Sequence, residues 1–399
     1  MRRREFLAAT AGAMMLPARL LAGQAPRDVK ITRIVGFDLL TQRPKLVGKN
    51  SRLDVHGDRA RDRMVRLFTN AGVEGLGNCW QGKHVLAGLL GRNPFDFVNR
   101  VSPQRVTGPL GSQTMPLWDL VGKLLHRPVF QLLGAKGPQR VPVYDGSIYF
   151  ADLLPQHAAN WRDRFKEEID MGLRQGHRAF KIKIGRGAKW MERAGGDARD
   201  VEVVRLIRQH AGPDVLLGVD ANNGYDPAGA KQFLSQAGEL RLAFVEELFP
   251  EKVDECLELK RWIAGRDWTT LLADGETQQS LEVFRPFIAA KAIDVLQADM
   301  NRFGVEGILT EASWAKPQGI LVSPHNWGSM VGFYMQLHVA RAIDNFYRAE
   351  NDPLASDLLI ADGYEIRDGT CSVPEAPGFG LILDEANFSR VKINFDLRA

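Results

Sequence analysis

Short apolar runs alternate with amphipathic segments along the chain from about residue 140 onward. Each run ends in or near a polar side chain, and the segments between them repeat apolar positions at helical spacing, as at 201–209, 228–234 and 305–315. The runs occupy residues 141–144, 180–184, 215–219, 242–245, 270–273, 295–298, 320–323 and 345–349. Strands that alternate with helices indicate parallel βαβ units, and eight in succession predict a closed barrel. An open doubly wound sheet is the alternative, although no phosphate-binding glycine loop follows the first strand.

Polar residues at the ends of these runs follow one another at intervals of about one strand and one helix. In a barrel, the carboxyl ends of the strands converge on one mouth, where catalysis occurs. One charged residue at a strand end is usually solvated and means little, but seven in succession predict a functional site. They are Lys183, Asp220, Glu246, Glu276, Asp299, His325 and Glu350.

Two lysines lie in the apolar stretch AFKIKIG, residues 179–185. Side chains alternate along a strand, so Lys181 and Lys183 share one face and point into the barrel. Two close ammonium groups repel each other and burial disfavours their charge, so we expect lowered pKa values and a lysine able to act as a base. The alternative is a pair of inert ion pairs with buried carboxylates, although lysine is a costly choice for a structural interior.

Three carboxylates end consecutive strands, at Asp220, Glu246 and Glu276. Without a counter-charge they would repel one another, and ligands that are all oxygens favour Mg²⁺. Glu247 should point to the opposite side by alternation, so we take Glu246 as the ligand. The alternative is that each carboxylate caps the helix that follows it. Capping explains any one of the three residues well but all three together poorly.

Asp299 and His325 end neighbouring strands across the mouth. A carboxylate beside an imidazole holds it in one tautomer and stabilises its protonated form. In a ring of eight strands, the second and the seventh stand roughly opposite each other. A lysine base and a histidine acid or base would then flank a bound substrate.

Residues 1–25 are predicted to be a twin-arginine export signal. The sequence RREFL at 3–7 resembles that motif, and small residues suited to cleavage lie near Ala25. A membrane anchor or a frayed helix is the alternative, but the apolar run is broken by Pro17 and Arg19 and is too short to span a bilayer of about 30 Å. We therefore expect a periplasmic mature protein.

The formal net charge of +4 is mostly contributed by four arginines and one glutamate of that segment. The remaining chain is nearly neutral, so we expect neither a nucleic acid partner nor, for the mature form, a membrane partner. Three distant cysteines, Cys79, Cys256 and Cys371, show no metal-like spacing. We interpret them as small buried residues, with one disulfide as the alternative.

As a set, these residues resemble the mandelate racemase subgroup of the enolase superfamily, over most of the chain from about residue 29. The stretch LWDLVGKLLHRPVFQLLG, residues 117–134, looks like that family's helical lead-in to the barrel. The motifs that carry the resemblance are Lys181-Ile182-Lys183, Asp220-Ala221-Asn222, Glu246-Glu247, Gly275-Glu276 and the Asp299/His325 dyad.

The resemblance implies an α/β protein, a modified (β/α)7β TIM barrel with an α+β N-terminal capping domain. We expect the export signal at 1–25, the capping domain at 28–135, the barrel at 136–365, and a C-terminal segment, 366–399, that returns to the capping domain. Relatives often assemble as symmetric homo-oligomers, so we expect one here.

The resemblance also implies roles for the residues at the mouth. Mg²⁺ would be held by Asp220, Glu246 and Glu276, with Lys183 as one base, Lys181 tuning it, and Asp299 and His325 as the opposite dyad. Glu350 looks like the family's acid of strand eight, which hydrogen-bonds the substrate carboxylate. The candidates for substrate binding are Asn222, Arg302, Tyr149, Trp327, Arg52 and His56, with Asp145, Ser147 and Asn326 as weaker ones.

Donors cluster in the segment before the second cap strand, at Arg43, Lys45, Lys49, Asn50, Arg52 and His56. They could reach substrate hydroxyls or a distal carboxylate, although an ordinary solvated loop is the simpler interpretation. The sequence departs from the family pattern at Leu248, where proline is usual, and at Phe303-Gly304, where two glycines are usual. Both positions bear on the shape of the pocket.

The chemistry that the resemblance implies is removal of a proton next to a carboxylate, through an enediolate. We expect dehydration of a small-molecule sugar acid, an aldonate or aldarate, to a 2-keto-3-deoxy acid. The alternative is a racemase or epimerase that acts on a 2-hydroxy or related acid. A cycloisomerase is disfavoured because that subgroup typically has a lysine in place of His325, and a non-catalytic binding protein is disfavoured because every reactive group is present.

Overall fold

The computed structural model describes residues 28–99 and 105–399. The predicted export signal, residues 1–25, lies outside the described residues. Among the helices that are described, none is both long and apolar enough to cross a membrane.

A four-stranded antiparallel sheet forms the cap. Its strands are β1 (Ile31–Val47), β2 (Gly57–Thr69), β3 (Glu74–Asn78) and, from the other end of the chain, β16 (Ile393–Arg398), in the order β16-β1-β2-β3. Helices α1 (Lys83–Ala87), α2 (Met115–Leu124) and α3 (Val129–Leu133) follow the third strand. Helix α2 lies so close to β3 that a Cβ at Gly75 would meet the Pro116 carbonyl oxygen at 2.4 Å, which explains the glycine there.

Eight parallel strands form the barrel. They are β4 (Arg140–Ile148), β5 (Ala179–Lys183), β6 (Leu216–Asp220), β7 (Leu242–Glu246), β8 (Leu271–Asp274), β9 (Val295–Leu296), β10 (Leu321–Val322) and β11 (Ala349–Asn351). Each pairs with the next as far as β10, and β11 pairs with β4. The backbone amide of Tyr347 donates to the carbonyl of Val322 at 2.8 Å, which closes the ring. The closed barrel is confirmed, and the open sheet is excluded.

Seven helices separate the eight strands within residues 140–351, all of which are described. They are α4 (Trp161–Arg174), α5 (Arg193–Ala211), α6 (Pro227–Ala237), α7 (Val253–Ala264), α8 (Phe284–Ala290), α9 (Met300–Ala315) and α10 (Met330–Ala342). No helix follows β11 within residues 352–358, so the (β/α)7β pattern is confirmed. The predicted strands agree within a few residues, and the largest shift is in the eighth, which lies at 349–351 rather than 345–349.

The chain after the barrel returns to both parts of the fold. Strand β12 (Leu359–Ile360) pairs with β15 (Ile382–Leu383), and β13 (Ile366–Arg367) pairs with β14 (Thr370–Ser372), which also pairs with β4. Helix α11 (Glu385–Phe388) precedes β16. The three cysteines are buried and free, so the structure favours their interpretation as small buried residues.

Buried ion pairs join the cap to the barrel. Arg43 donates to both carboxylate oxygens of Asp352, at 2.8 and 2.6 Å, and Lys45 donates to Glu168 at 2.5 Å. All four side chains are buried. The simpler interpretation of this segment as a solvated loop was therefore wrong for Arg43 and Lys45, because both residues lie on the inward face of β1.

The cap also holds the N-terminus of α10. The carboxylate of Asp62 accepts hydrogen bonds from the hydroxyl of Ser329 at 2.6 Å and from the backbone amide of Met330 at 3.0 Å. A carboxylate is stabilising at a helix N-terminus because the first amides have no partner within the helix. This contact fixes the cap against the loop that follows β10.

Glu311 is an uncompensated acid on α9. It is fully buried, and within the described part of the chain neither of its carboxylate oxygens makes a hydrogen bond of ordinary geometry. Burial raises the pKa of Glu311 to about 8, and the backbone of Ala298 offsets only part of that shift. The folded protein therefore keeps a proton that the unfolded chain releases near pH 4.5.

The variant Glu311→Gln tests this burial. Because the folded pKa is the higher one, the wild-type protein loses stability as the pH rises from about 4.5 towards 8, by up to about 1.4 kcal/mol per pH unit. The Glu311→Gln variant has no such group to ionise. The free energy of unfolding of the variant minus that of the wild-type protein should therefore be larger at pH 8 than at pH 5. Denaturant titrations at both values measure it, with the exposed Glu239→Gln as control. A difference that does not change with pH would contradict the assignment.

Candidate active site at the mouth of the barrel

The strand register brings the predicted residues together. Lys183 lies opposite Asp220 on the neighbouring strand, and Asp220 lies opposite Glu246 on the next. Further round the ring, Asp299 and His325 form a bridge between the segments that follow β9 and β10. All seven residues that we predicted from the strand ends lie at this one mouth.

At the mouth of the barrel, both lysines contact buried carboxylates. Lys181 Nζ lies 2.8 Å from both Glu246 Oε1 and Glu350 Oε1 and 3.3 Å from Asp220 Oδ2, and Lys183 Nζ is hydrogen-bonded to Asp220 Oδ2. Burial by itself lowers the pKa of Lys183, but the carboxylates, Asp220 foremost, outweigh it and hold that pKa above its ordinary value. The same balance raises the pKa of Lys181. The expectation of lowered pKa values was wrong for this arrangement of charges, because it weighed burial and lysine–lysine repulsion without the partner carboxylates.

The three predicted carboxylates form a cluster that fits a cation. One oxygen from each of Asp220, Glu246 and Glu276 lies within 4.8 Å of the other two. Burial raises the pKa of Glu246 to about 8, and the repulsion from Asp220 and Glu350 adds to it. Oε2 of Glu276 is buried and has no hydrogen-bond partner among the described residues. Closely spaced, buried oxygens of this kind fit a hard divalent cation.

Hydrogen-bond donors orient the carboxylates of Asp220 and Glu246. The Lys183 ammonium and the backbone amide of Asn222, the latter at 2.8 Å, hold Asp220. The side-chain amide of Gln297 donates to Glu246 Oε2 at 2.8 Å. Sequence reasoning missed Gln297, although it lies two residues before Asp299 in the segment that follows β9, where alternation places both side chains on the same face.

Glu247 breaks the alternation that we expected. Its φ of 41° is left-handed, so the residue leaves the strand and its carboxylate stays on the side of the site. There it accepts from the side-chain amides of Asn222 at 3.2 Å and Asn223 at 3.3 Å. The same amide of Asn222 also donates to Glu276 Oε1 at 3.1 Å. Asn222, predicted to bind substrate, thus orients carboxylates of the site.

The dyad has a defined proton arrangement. His325 Nδ1 lies 2.7 Å from Asp299 Oδ2, and since the carboxylate only accepts, this ring nitrogen donates. Asp299 Oδ1 also accepts from the backbone amide of Arg302 at 2.8 Å, which begins α9. Burial lowers the pKa of His325, but Glu276, Glu350 and Asp299 outweigh it and raise that pKa to about 10. His325 Nε2 lies 3.1 Å from Glu276 Oε2, without hydrogen-bond geometry, and so faces the triad.

Glu350 is held by groups of the chain itself. Oε1 lies beside Lys181, and Oε2 accepts from the backbone amide of Asn326 at 2.8 Å. A Cβ at Gly146 would meet Glu350 Oε1 at 2.6 Å, so the glycine makes room for this carboxylate. Its contact with a substrate carboxylate stays a prediction.

The candidates for substrate binding fall into two groups. Tyr149 and Trp327 stack with ring centroids 4.7 Å apart, and His56 packs on Tyr149 at 4.7 Å and on Trp327 at 5.7 Å. Lys183 Nζ lies 5.1 Å from the centroid of the Tyr149 ring, which places this aromatic group beside the site. Arg52 and Arg302 are exposed.

The weaker candidates on β4 serve the strand itself. Asp145 Oδ1 accepts from the backbone amide of Ser147 at 2.8 Å and from its hydroxyl at 2.6 Å, and both residues are buried. This local hydrogen bonding accounts for their polar side chains.

Comparison with known proteins agrees with this geometry. A family model described as enolase C-terminal domain-like matches residues 164–387. Arabinonate dehydratase of Saccharolobus solfataricus is 28% identical over 281 residues, which cover 69% of this chain and 70% of that enzyme. The crystal structure of galacturonate dehydratase from a Geobacillus species, in complex with D-galacturonate and 5-keto-4-deoxy-D-galacturonate, has a TM-score of 0.82 at 30% identity and covers 91% of this chain and 97% of its own.

A second solved structure is also similar. It is a mandelate racemase/muconate lactonizing protein from a Geobacillus species, in complex with magnesium and tartrate. Its TM-score is 0.87 at 28% identity, and the match covers 94% of this chain and 98% of that one.

Cation binding by the triad can be measured through stability. After treatment with EDTA, saturating MgCl₂ should stabilise the wild-type protein by about 2.7 kcal/mol when the free ion is at 100 times its Kd. Asp220→Asn should remove most of that gain, because it removes one of three ligands. Asp214→Asn, an exposed change before the other end of β6, is the matched control and should keep the gain. An equal magnesium-dependent shift in both variants would contradict the site.

Proposed function

Because the chain belongs to the enolase superfamily, in its mandelate racemase subgroup, we propose that it is a Mg²⁺-dependent dehydratase of a sugar acid. The resemblance seen in the sequence is confirmed. The observation that carries the proposal is that Lys183 contacts the triad at Asp220, whereas His325, held by Asp299, contacts it at Glu276. The relatives named above include dehydratases of arabinonate and galacturonate, which supports a hydroxylated carboxylic acid as the substrate.

The carboxylates of Asp220, Glu246 and Glu276 would hold the ion. A Mg²⁺ ion bound there supplies a Lewis acid for the oxygens of the substrate carboxylate and takes up negative charge that otherwise keeps the proton on Lys183. The donors behind the triad, Gln297 and Asn222, keep its oxygens aimed at one point.

Lys183 and His325 would move the protons. The free amine of Lys183 takes the proton from the carbon next to the carboxylate, which leaves an enediolate. His325, charged and held through Nδ1 by Asp299, donates its Nε2 proton to the neighbouring hydroxyl as the C–O bond breaks and water leaves. The resulting enol takes up a proton at carbon and becomes the 2-keto-3-deoxy acid.

Racemisation or epimerisation is the second candidate. Two proton-transfer groups on opposite sides of one triad could also serve opposite faces of a single carbon. The similarity to a mandelate racemase/muconate lactonizing protein supports this alternative. Elimination depends on a leaving group that the substrate brings, so the substrate decides between the two outcomes.

The test uses purified protein with Mg²⁺ and a panel of aldonic, uronic and aldaric acids in D₂O, followed by NMR. Keto-acid formation is expected, with loss of the proton on the carbon next to the carboxylate, which is C2 in an aldonate and C5 in a hexuronate. His325→Asn should abolish elimination, because it removes the acid for the leaving hydroxyl, while exchange at that carbon through Lys183 survives. Lys183→Met should remove the exchange as well.

Two results would count against this scheme. Deuterium on the carbon next to the carboxylate, with inverted configuration and no keto acid, would mean an epimerase. Full dehydratase activity in the His325→Asn variant would mean that another group protonates the leaving hydroxyl.

We also propose that residues 1–25 direct export to the periplasm by the twin-arginine pathway. The supporting observation is the sequence RREFL at 3–7, followed by an apolar run and small residues near Ala25. Replacing both Arg3 and Arg4 by lysine should keep the full-length protein in the cytoplasm, whereas the wild-type protein should be recovered from the periplasm and shortened near Ala25. Equal periplasmic yields from both would contradict it.

A further inference from the structure

A loop of the cap, residues 48–56, lies over the mouth of the barrel. The backbone amide of Phe150, just after β4, donates to the carbonyl of Lys49 at 2.9 Å. The hydroxyl of Ser51 donates to the carbonyl of Ala221, just after β6, at 2.5 Å. These contacts bring His56, at the end of the loop, against Tyr149 and Trp327.

The tautomer of His56 follows from its partner. The indole Nε1–H of Trp327 lies 3.1 Å from His56 Nδ1, and an indole nitrogen only donates. Nδ1 must therefore be the unprotonated nitrogen. Burial lowers the pKa of His56 to about 4, and the charges of Lys183 and Arg43 add to this, so the ring is neutral near pH 7. Its one N–H is then at Nε2.

That N–H has no partner among residues 28–99 and 105–399. Within the described residues, His56 Nε2 is buried and makes no hydrogen bond. Leaving a buried donor unsatisfied is unfavourable, and buried polar groups in proteins are nearly always paired. A ligand bound at the mouth beside Tyr149, which contacts both His56 and Lys183, would supply the missing acceptor.

Three cations of the same segment, Arg43, Lys45 and Lys49, are already neutralised, and the fourth, Arg52, is exposed to solvent. Arg43 forms its buried pair with Asp352, Lys45 forms its buried pair with Glu168, and Lys49 lies 3.0 Å from Asp54 and over the ring of Trp190. Beside His56, a second carboxylate of a substrate would therefore meet a neutral donor and the aromatic rings of Tyr149 and Trp327. Moving a carboxylate out of water without a counter-charge is costly, whereas a hydroxyl needs only a hydrogen-bond partner.

We propose that His56 donates its Nε2 hydrogen to an uncharged hydroxyl at the distal end of the substrate, so that the protein selects sugar acids with one carboxylate over those with two. This inference rests on the proposed function for the position of the reacting carboxylate. It narrows the substrate class from sugar acids in general to aldonates and uronates.

Calorimetric titration with Mg²⁺ present measures the affinity for each acid and so tests the preference for monocarboxylates independently of turnover. The probes are D-gluconate against D-glucarate and D-galacturonate against galactarate, each pair matched in carbon number. At least one monocarboxylate should bind about tenfold or more tightly than its dicarboxylate partner. In the turnover assay the same preference should appear in kcat/KM.

Variants at His56 test the hydrogen bond. His56→Phe keeps a ring but removes the donor, so KM for the preferred monocarboxylate should rise about tenfold with kcat little changed. His56→Gln places an amide N–H near the position of Nε2 and should recover most of that loss. His84→Phe, an exposed change on α1 of the cap, is the matched control and should leave KM unchanged. Thermal melting of each variant checks that it is folded.

Several outcomes overturn the proposal. Equal or tighter binding of the dicarboxylates, binding of none of the four acids, or an unchanged KM in a folded His56→Phe variant would each do so. Dicarboxylate binding that is lost in Arg52→Gln would show that the loop recognises a charge instead. A preference for monocarboxylates in binding with no turnover of any acid would support the selection by His56 and contradict only the assignment as a dehydratase.

Discussion

Repulsion between carboxylates organises the mouth of this barrel. The parallel register places Asp220 and Glu246 side by side at the ends of adjacent strands, and Glu276 joins them within 4.8 Å. Buried charges of one sign at that spacing are tolerated only with compensating charge. Lys181, in contact with Asp220, Glu246 and Glu350, supplies a permanent part of it. The part that remains uncompensated is what suits the cluster to hold a cation.

The cap is fixed to the barrel by buried polar contacts rather than by apolar packing alone. An ion pair such as that of Arg43 with Asp352 gains little net stability over an apolar contact, but removing one partner leaves a buried charge unpaired. Such pairs therefore specify one position of the cap with little tolerance. The position matters because Asp352 also accepts from the backbone amide of Gly328, next to Trp327, so one carboxylate orients both the cap strand and the aromatic wall of the site.

The reactive residues were predictable because two simple rules determine their direction. Parallel strands in a barrel expose their carboxyl ends at one mouth, and alternation turns Lys181 and Lys183 to the same side. The shifts in pKa were not predictable, because their sign depends on distances of about 3 Å between residues far apart in the sequence. Glu247 was misplaced because alternation ends where the backbone becomes left-handed. The partners of Arg43 and Lys45, 309 and 123 residues away, could not be identified from local pattern.

The cap sheet is discontinuous in the chain, and this has a consequence for biosynthesis. Strand β1 is translated before the barrel and its neighbour β16 after it, so one edge of β1 has no partner until the ribosome has passed residue 398. An unpaired strand edge is a template for aggregation. That edge therefore stays unpaired through the synthesis of the whole barrel, and the cap sheet is completed only after translation of its last strand.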